Sequence, residues 1–327
     1  MPKRKFTIYK MEFESPLHAG SAGIGEESVQ HTIRSDTLFG ALCWAHRELY
    51  GKKNLEELLK KFKSARKTHD LPFFISSTFP FMKEYFFLPN PLSSGLKEEF
   101  LEKSLFELVI KGETPEKEEI GKINEEKRFA TLKGFAAERT ILEEILEGNE
   151  IPFRYIGVQK NVQNRISKET DTYIVGGTVF KEGCGLYFIE EGKDLFPELK
   201  YLGETGIGGN RSLGMGRFNV KREEIEIDTP DEEDYQVLLS LCLPKKGETE
   251  KILQISLAEG ESRSRYILEK RVGWVDGTSI RQKGFRMLKE GSVVEKKGEE
   301  LIGDFLKASD GKEAYRYGYG MTIPIKA

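Results

Sequence analysis

Hydrophobic and polar residues alternate near the start of the chain. Phe6 and Ile8 fall on one side of an extended segment, and Met11 and Phe13 fall on the other. Side chains of an extended chain point to opposite faces in turn. The pattern therefore predicts an opening strand over residues 5–13.

The next periodic segment has the spacing of a helix. Ser35 is a favourable N-cap residue, and Asp36 brings a negative charge to the first turn, where it suits the helix dipole. Apolar residues continue at helical spacing to residue 50 on two adjacent faces, which predicts a well-buried helix. Asn54 with Glu57 resembles a capping box and predicts the start of a second helix.

The middle of the chain alternates between extended and helical patterns. Residues 71–92 are rich in aromatic residues and proline, which favours short extended pieces. Residues 97–128 are predicted to be helical at first and then to form a charged surface segment, and residues 135–148 are predicted to be helical. Two extended segments, 153–159 and 172–180, flank a polar stretch and predict a protruding hairpin.

A strand over residues 186–189 and a short helix over 194–202 then lead to a glycine-rich loop. Beyond the loop, the alternation changes phase within residues 218–227. A bulge near 222–224 would reconcile the two halves of this strand.

The acidic, proline-bearing residues 228–234 have the composition of a linker. They predict a domain boundary, with residues 1–228 in an N-terminal domain and 229–327 in a C-terminal one. The C-terminal patterns are predicted as a strand at 235–243, a helix near 249–258, extended segments at 265–275 and 280–288, a helix near 298–308, and a final strand. A strand, helix, strand, strand, helix, strand order is that of a ferredoxin-like fold.

Five glycines surround an arginine between the short helix and the following strand: Gly206, Gly208, Gly209, Gly214 and Gly216, with Arg211 among them. Glycine allows close backbone approach, and successive N–H groups in such turns can hold phosphate oxygens. The loop matches neither the Rossmann fingerprint nor a Walker sequence, so a phosphate-bearing polymer is the predicted ligand. A flexible turn between packed elements is the alternative.

The overall charge limits how nucleic acid could be bound. The net charge is −3 and the pI about 6.0, which argues against a protein that coats nucleic acid through its overall field. Basic residues do cluster at Arg211 and Arg217, at Lys160 and Arg165, and near the C-terminus, so local RNA contact is predicted. Solvated surface remains the alternative for each cluster taken alone.

Candidate catalytic groups are few. The three cysteines lie far apart, and the four histidines share no ligand spacing on one element, so no metal or other cofactor is predicted. The cysteine usage and the absence of a signal peptide or long apolar run predict a cytoplasmic protein without membrane contact. His18 and His31 could act as general acid or base in metal-free RNA cleavage, or could serve only as loop contacts.

The tyrosines of the final strand, Tyr315, Tyr317 and Tyr319, could stack on bases or belong to the core.

Several of these features together resemble the RAMP proteins of CRISPR systems. They are the opening strand with its Pro16–Gly20 loop, the helix entered at Arg34 with the sequence Ser-Asp-Thr-Leu-Phe-Gly-Ala, and the glycine-rich loop before a strand. The helix start is similar to that of the fourth Csm subunits, the Cas5-type branch of type III-A effector complexes. The segment after Asn164 resembles the thumb hairpin of that branch, and Tyr317 to Gly320 resembles its C-terminal strand.

The resemblance implies an α+β protein with two ferredoxin-like domains, insertions and a protruding hairpin. It implies a non-catalytic subunit that binds the repeat-derived 5′ tag of the crRNA, docks the large Cas10-type Csm subunit and adjoins the backbone Cas7-type Csm subunit, without contacting DNA directly. The RNA-binding residues that it implies are Gly206, Gly208, Gly209, Arg211, Gly214, Gly216, Arg217, His18, Arg34, Asn164 and Arg165.

Two other functions remain open. A sibling subunit cleaves RNA with an aspartate in the loop after its first strand, but residues 16–34 contain Glu26 and Glu27 and no aspartate. The first alternative is a metal-independent repeat-processing endoribonuclease of the same superfamily, with His31 or His46 as base. The second is a protein-binding scaffold whose glycine loop only packs.

Overall fold

A computed structural model describes residues 3–20, 29–146, 152–163, 170–231, 234–253, 265–273, 282–296, 298, 300–309 and 314–326. Up to residue 192 the elements are β1 (Lys3–Phe13), β2 (Ala19–Gly20), β3 (Val29–Gln30), α1 (Ser35–Tyr50), α2 (Lys52–Ser64), β4 (Phe73–Ile75), β5 (Phe79–Met82), β6 (Tyr85–Pro89), β7 (Phe100–Glu102), α3 (Lys103–Ile110), β8 (Ile120–Lys122), β9 (Phe129–Leu132), β10 (Phe135–Glu138), α4 (Arg139–Ile145), β11 (Phe153–Gln163), β12 (Thr170–Phe180) and β13 (Cys184–Gly192). The remaining elements are α5 (Phe196–Thr205), β14 (Phe218–Asp228), β15 (Tyr235–Leu238), α6 (Thr249–Leu253), β16 (Leu268–Arg271), β17 (Phe285–Leu288), β18 (Val293–Glu295), β19 (Gly303–Lys307), β20 (Tyr315–Tyr319) and β21 (Thr322–Pro324).

The fold is mixed α/β around one large mixed sheet. Within the described residues this sheet has ten strands in the order β14-β1-β13-β5-β6-β7-β10-β9-β8, with β4 also paired to β13. Most neighbours are antiparallel, but β7 with β10 and β8 with β9 are parallel. Three strands of the C-terminal part form a separate sheet in the order β18-β15-β21.

The opening strand is confirmed, and its pairing with β14 corrects one prediction. The register runs one to one from Lys3 opposite Asp228 to Phe13 opposite Phe218, so no bulge interrupts β14. The apolar residues of β14 change phase because the β1–β14 pair buries one face at one end and the opposite face at the other end. Phe6 pairs with Ile225 on one face, whereas Met11 and Phe13 lie on the other.

Both helices after the opening strand form, but their first turns differ from the predictions. Helix α1 begins at Ser35, whose Oγ accepts a hydrogen bond from the distant Leu241 N–H (3.1 Å) rather than capping its own helix. Helix α2 begins at Lys52, and the Asn54 side chain donates back to the Tyr50 carbonyl (2.6 Å). The side chains of Ser35 and Asn54, which the sequence predicted as helix caps, therefore bind other backbone groups instead.

The predicted hairpin is present as β11 and β12, which pair in register from Phe153 opposite Phe180 to Gln163 opposite Thr170. Its base joins the body of the protein through reciprocal backbone hydrogen bonds of 2.8 Å between Leu17 and Thr178.

Two predicted helices are wrong in whole or part. The segment near 298–308 contains strand β19, which pairs with β20, so the C-terminal elements do not follow the strand, helix, strand, strand, helix, strand order. Residues 135–148 begin with strand β10, and the helix covers only Arg139–Ile145. In both places strand pairing overrides a locally helical pattern.

Of the three final tyrosines, Tyr317 and Tyr319 belong to the core, and Tyr315 is partly buried and packs against it. Tyr317 is fully buried and stacks on Phe39 of α1 with ring centroids 4.8 Å apart, and Tyr319 is buried as well. On the opposite face, the Gly318 carbonyl accepts a hydrogen bond from the Leu243 N–H (2.9 Å). The close neighbour that this glycine admits is thus the chain's own backbone.

Candidate nucleic-acid interface

The glycine-rich loop makes repeated left-handed turns. Gly206, Gly208, Gly214 and Gly216 have φ angles of 85°, 89°, 80° and 76°, and Asn210 has a φ of 57°. These values favour glycine because a Cβ is strained in that region. The loop sequence therefore follows from its backbone path between α5 and β14.

Four of the five glycines are also required by close packing. A Cβ on Gly208 would lie 2.5 Å from the His18 carbonyl oxygen, and one on Gly209 would lie 2.5 Å from the His18 ring. A Cβ on Gly206 or Gly216 would overlap the facing backbone of the same loop. Gly214 differs, because no described atom lies within 4 Å of an added Cβ.

The expected open row of N–H donors is wrong for most of the loop. The Gly209 N–H donates to the His18 carbonyl (2.8 Å) and the Gly216 N–H to the Pro16 carbonyl (2.9 Å). The N–H groups of Gly206 and Gly214 also donate to carbonyls of this chain. Because these donors are already engaged, the loop is a tightly packed turn and its side chains are the groups available for contact.

A cavity of about 770 Å³ opens beside the loop. Its wall includes five of the predicted RNA-binding residues: His18, Arg34, Gly208, Gly209 and Arg211. The exposed side of α1 forms a second wall, and the C-terminal part supplies a third through Arg271, Gln282, Tyr315 and Arg316. The volume is within the roughly 300–1,000 Å³ typical of ligand sites.

The other predicted residues lie elsewhere. Gly206, Gly214, Gly216 and Arg217 are not part of the cavity wall. Arg217 is half exposed, and its guanidinium lies 3.6 Å from the Glu204 carboxylate. Asn164 and Arg165 lie outside the described residues.

His18 ties the loop to the hairpin. Its ring is buried, and Nδ1 lies 2.7 Å from the Gly176 carbonyl of β12, which requires an N–H at that nitrogen. The same residue packs against Gly209 on its other side. His18 therefore joins the opening loop, the glycine loop and the hairpin at one point.

Arg34 is buried at the start of α1 with its charge matched by two carboxylates. Its guanidinium lies 2.8 Å from Glu290 and 3.2 Å from Glu269. Its role as an RNA contact stays a prediction, because buried pairing of this kind also explains the residue structurally.

Asp36 completes the same group of charges. Its carboxylate is bound by Arg271 (2.9 Å) and by Arg316. Burial raises the pKa of Asp36, but the two guanidinium groups outweigh this effect and hold that pKa below its ordinary value. We call these six residues the buried charge network: Arg34, Arg271, Arg316, Asp36, Glu269 and Glu290. Its three positive and three negative charges cancel.

The sequence patterns missed one face of α1. Thr37, Gly40, Trp44 and Arg47 lie three or four residues apart and line the cavity. Helical spacing of these partly exposed residues was the signal that could have found them. The prediction rested on the apolar residues of the other faces. Of these, Leu49 and Tyr50 at the end of the helix are exposed rather than buried.

The two histidines suggested as bases are both held by neighbours. His46 is buried with Nδ1 2.8 Å from Glu198. His31 Nδ1 lies 2.8 Å from the Tyr155 hydroxyl, and its ring stacks on Phe153 at the base of the hairpin. Burial lowers the pKa of His31, against an opposing effect of Glu99.

In the part of the chain that the structure describes, no group of three or more His, Cys, Asp or Glu side chains is placed to hold a metal ion. Of the described helices, none is long and apolar enough to cross a membrane. The predictions of no cofactor and no membrane contact stay predictions.

Comparison with known families gives two consecutive matches. Residues 10–219 match the family model described as the RAMP superfamily, and residues 231–325 match the one described as the CRISPR Csm4 C-terminal domain.

Individual relatives match along most of the chain. The CRISPR system Cms protein Csm4 of Thermococcus onnurineus (strain NA1) is 29% identical over 298 residues, which cover 89% of this chain and 90% of the relative. The protein of the same name from Streptococcus thermophilus is 25% identical over 255 residues, 76% of each chain.

Solved structures share the fold. One chain of a Csm3-Csm4 subcomplex in the type III-A CRISPR-Cas interference complex matches with a TM-score of 0.65 at 19% identity, covering 99% of this chain and 100% of that one. A chain of a Csm1-Csm4 cassette in complex with pppApA matches with a TM-score of 0.57 at 22% identity, covering 99% and 98%.

Proposed function

Because the chain belongs to the RAMP superfamily and is similar to Csm4 proteins of several species, we propose that it is the crRNA-binding subunit of a type III-A Csm interference complex. In this role it holds the repeat-derived 5′ tag of the crRNA, docks the large Cas10-type subunit and adjoins the Cas7-type backbone subunit. It performs no chemistry itself and serves antiviral defence through the assembly.

The cavity beside the glycine loop is the observation that carries the proposal. It brings His18 together with Gly208, Gly209 and Arg211 of the glycine loop, the first of which lies 190 positions further along the chain, around one concave surface. Its wall also carries Arg47, whose side chain is more than half exposed, whereas Arg34, Arg271 and Arg316 are paired within the buried charge network. Local phosphate contacts of this kind position an RNA without requiring a basic protein.

The partners are proposed from the relatives. Solved structures of similar fold come from a Csm1-Csm4 cassette and a Csm3-Csm4 subcomplex. We extend that association to this chain, with residues 1–228 and 229–327 as the proposed domain division.

The proposed lack of catalysis is supported by Asp36. This aspartate is the nearest candidate to the nuclease aspartate of the sibling subunit, yet it is buried and bound by two arginines. A carboxylate held in this way is poorly placed to activate a nucleophile in solvent.

The test incubates the purified chain, in EDTA, with end-labelled repeat RNA and with tagged guide RNA, followed by native and denaturing gels. Intact RNA, together with co-purification of the large subunit with the affinity-tagged chain, supports the proposal. Specific cleavage within the repeat contradicts it.

A repeat-processing endoribonuclease is the second candidate, and the hydrogen bond between His31 and Tyr155 favours it. A histidine with a tyrosine partner is a reasonable pair for metal-free RNA cleavage. If this function is correct, the unmodified chain cuts repeat RNA and His31→Ala abolishes the cleavage. Failure of the unmodified chain to cut under any condition excludes it.

A protein-binding scaffold is the third candidate, favoured by the close packing of the glycine loop. In that case the double substitution Arg211→Glu and Arg217→Glu leaves RNA retention by the complex unchanged. Loss of retention in this variant supports RNA binding instead.

A further inference from the structure

Arg211 lies over an aromatic side chain. Its guanidinium carbon is 4.4 Å from the ring centroid of Trp44, and both residues line the cavity. On α5, Tyr201 packs against Trp44 with ring centroids 5.4 Å apart. We call Trp44 and Tyr201 the aromatic shelf. It holds the Arg211 side chain at the cavity wall, next to Gly208 and Gly209.

The backbone of Arg211 is held as firmly as its side chain. Asn210 and Gly214, both with positive φ, bracket a single 3₁₀ turn over Arg211–Leu213. The Gly214 N–H donates to the Arg211 carbonyl (2.9 Å). An added Cβ on Gly206 would be in ordinary contact with the Arg211 Cγ (3.5 Å) but only 2.4 Å from the Met215 carbonyl oxygen, so the loop backbone itself requires this glycine.

The arginines of the cavity wall fall into two groups. Arg34, Arg271 and Arg316 are buried and neutralised within the buried charge network. Arg47 lies one helical turn beyond Trp44 with a side chain more than half exposed, and its guanidinium is 4.0 Å from the carboxylate of Glu48, which also lines the cavity. Arg211, which lies over the Trp44 ring, and Arg47 are the wall arginines that stand outside this network.

Resting on the proposed function, we infer that Trp44 is a positioning residue for the RNA phosphates. A guanidinium group stacks on an aromatic ring through its flat face and binds phosphate through N–H groups in its plane. The two contacts are compatible on one arginine. Trp44 fixes the plane of the Arg211 guanidinium, and that plane sets where a phosphodiester of the RNA lies in the cavity.

The geometry favours this role over direct base stacking on Trp44. Arg211 covers one side of the indole ring, and Tyr201 packs on it as well. A base that stacked on the face covered by Arg211 would have to displace the arginine.

The test uses the complete complex, isolated through an affinity tag on this chain after co-expression with its partner subunits and guide RNA. RNA retention is measured against increasing KCl for Trp44→Leu, Trp44→Phe, Arg211→Ala and the double variant Trp44→Leu/Arg211→Ala. We expect Trp44→Leu to weaken RNA binding about five- to tenfold and Trp44→Phe to retain most of the affinity, because phenylalanine keeps an aromatic face. Arg211→Ala is expected to reduce the slope of log affinity against log salt concentration by about 1, as the loss of one phosphate contact does.

The double variant separates positioning from general packing. If Trp44 acts through Arg211, Trp44→Leu weakens binding no further once Arg211 is alanine. An equal loss in both backgrounds overturns the inference. As a variant that leaves the core intact, Arg211→Lys keeps the charge without the planar group and is expected to weaken RNA binding as Trp44→Leu does. Unchanged binding by Arg211→Lys also overturns the inference.

The same experiment distinguishes this inference from the proposed function. If the unmodified complex retains no RNA, both fail. If the unmodified complex and all five Trp44 and Arg211 variants retain RNA equally, RNA binding by the complex is supported and the proposed role of Trp44 is excluded.

Discussion

The carboxylate of Asp36 accepts two hydrogen bonds from the guanidinium group of Arg271, of 2.9 and 3.1 Å, across 235 residues of sequence. Both side chains are buried, and Arg316 approaches the same carboxylate from another strand. The first turn of α1 is thereby attached to the C-terminal part of the chain through charge.

Removing the Asp36 charge should be strongly destabilising. Asp36→Asn leaves Arg271 and Arg316 buried without their shared counter-ion, and breaking a buried pair in this way costs about 3–5 kcal/mol. We expect a decrease of that size in the free energy of unfolding, measured by urea titration with circular dichroism. Asp231→Asn, at an exposed position, is the matched control and should change little. A stability equal to the control would show that the pairing contributes nothing.

Two glycines of the loop provide a matched comparison. Gly214 and Gly216 have similar positive φ angles, but a Cβ on Gly216 overlaps the Ile207 backbone, whereas the described surroundings of Gly214 are open. Gly214→Ala should cost about 1–2 kcal/mol from backbone strain alone. Gly216→Ala should cost roughly 2–5 kcal/mol, since overpacking adds to the strain. Equal losses in thermal unfolding would contradict the packing of this loop.

The stability of the protein should depend on pH through Glu190. Burial raises the pKa of this carboxyl from 4.5 to about 7, with Arg222 opposing the effect. The folded state then binds a proton more tightly than the unfolded state does, so this contribution is complete below pH 4.5 and is lost as the pH rises through about 7.

Glu190→Gln should remove that part of the pH dependence. Urea midpoints at pH 5 and pH 8 are compared for the two proteins, and the decrease between these pH values should be smaller for the variant. The difference between the proteins isolates Glu190 from His31, whose lowered pKa acts in the opposite direction. The same decrease in both proteins would exclude Glu190 as the cause.

Tag capture should appear as a difference in affinity between two guide RNAs. With all partner subunits present, a guide that carries the 5′ tag should bind at least about tenfold more tightly than one of equal length with a scrambled tag, because each stacked base contributes roughly 1–3 kcal/mol. Filter binding at fixed salt measures both. Comparable affinities would count against tag capture.

Local periodicity predicted β1, α1 and the hairpin because each has a repeating apolar pattern of sufficient length. It was wrong at Gly303–Lys307, where Leu301 and Phe305 are spaced as on a helix. Pairing with β20 decides that segment, and such pairing is not visible in local spacing.

The residues of the candidate site were also predicted only in part. The glycine loop and His18 were found from residue type, and the cavity does bring them together. The pairing of Arg34 with Glu290 joins residues 256 positions apart, so no local pattern could distinguish a buried ion pair from an exposed RNA contact. Trp44 was missed because its partner, Arg211, belongs to a distant loop.

The buried charge network also has a consequence for synthesis. On the ribosome, Asp36 emerges 280 residues before Arg316, so the first helix is made long before its last counter-ion exists. A nascent fragment that ends near residue 228 can form the large sheet but must keep Arg34 and Asp36 hydrated until the remainder of the chain is released. The N-terminal part is therefore expected to reach its final packing only after translation is nearly complete.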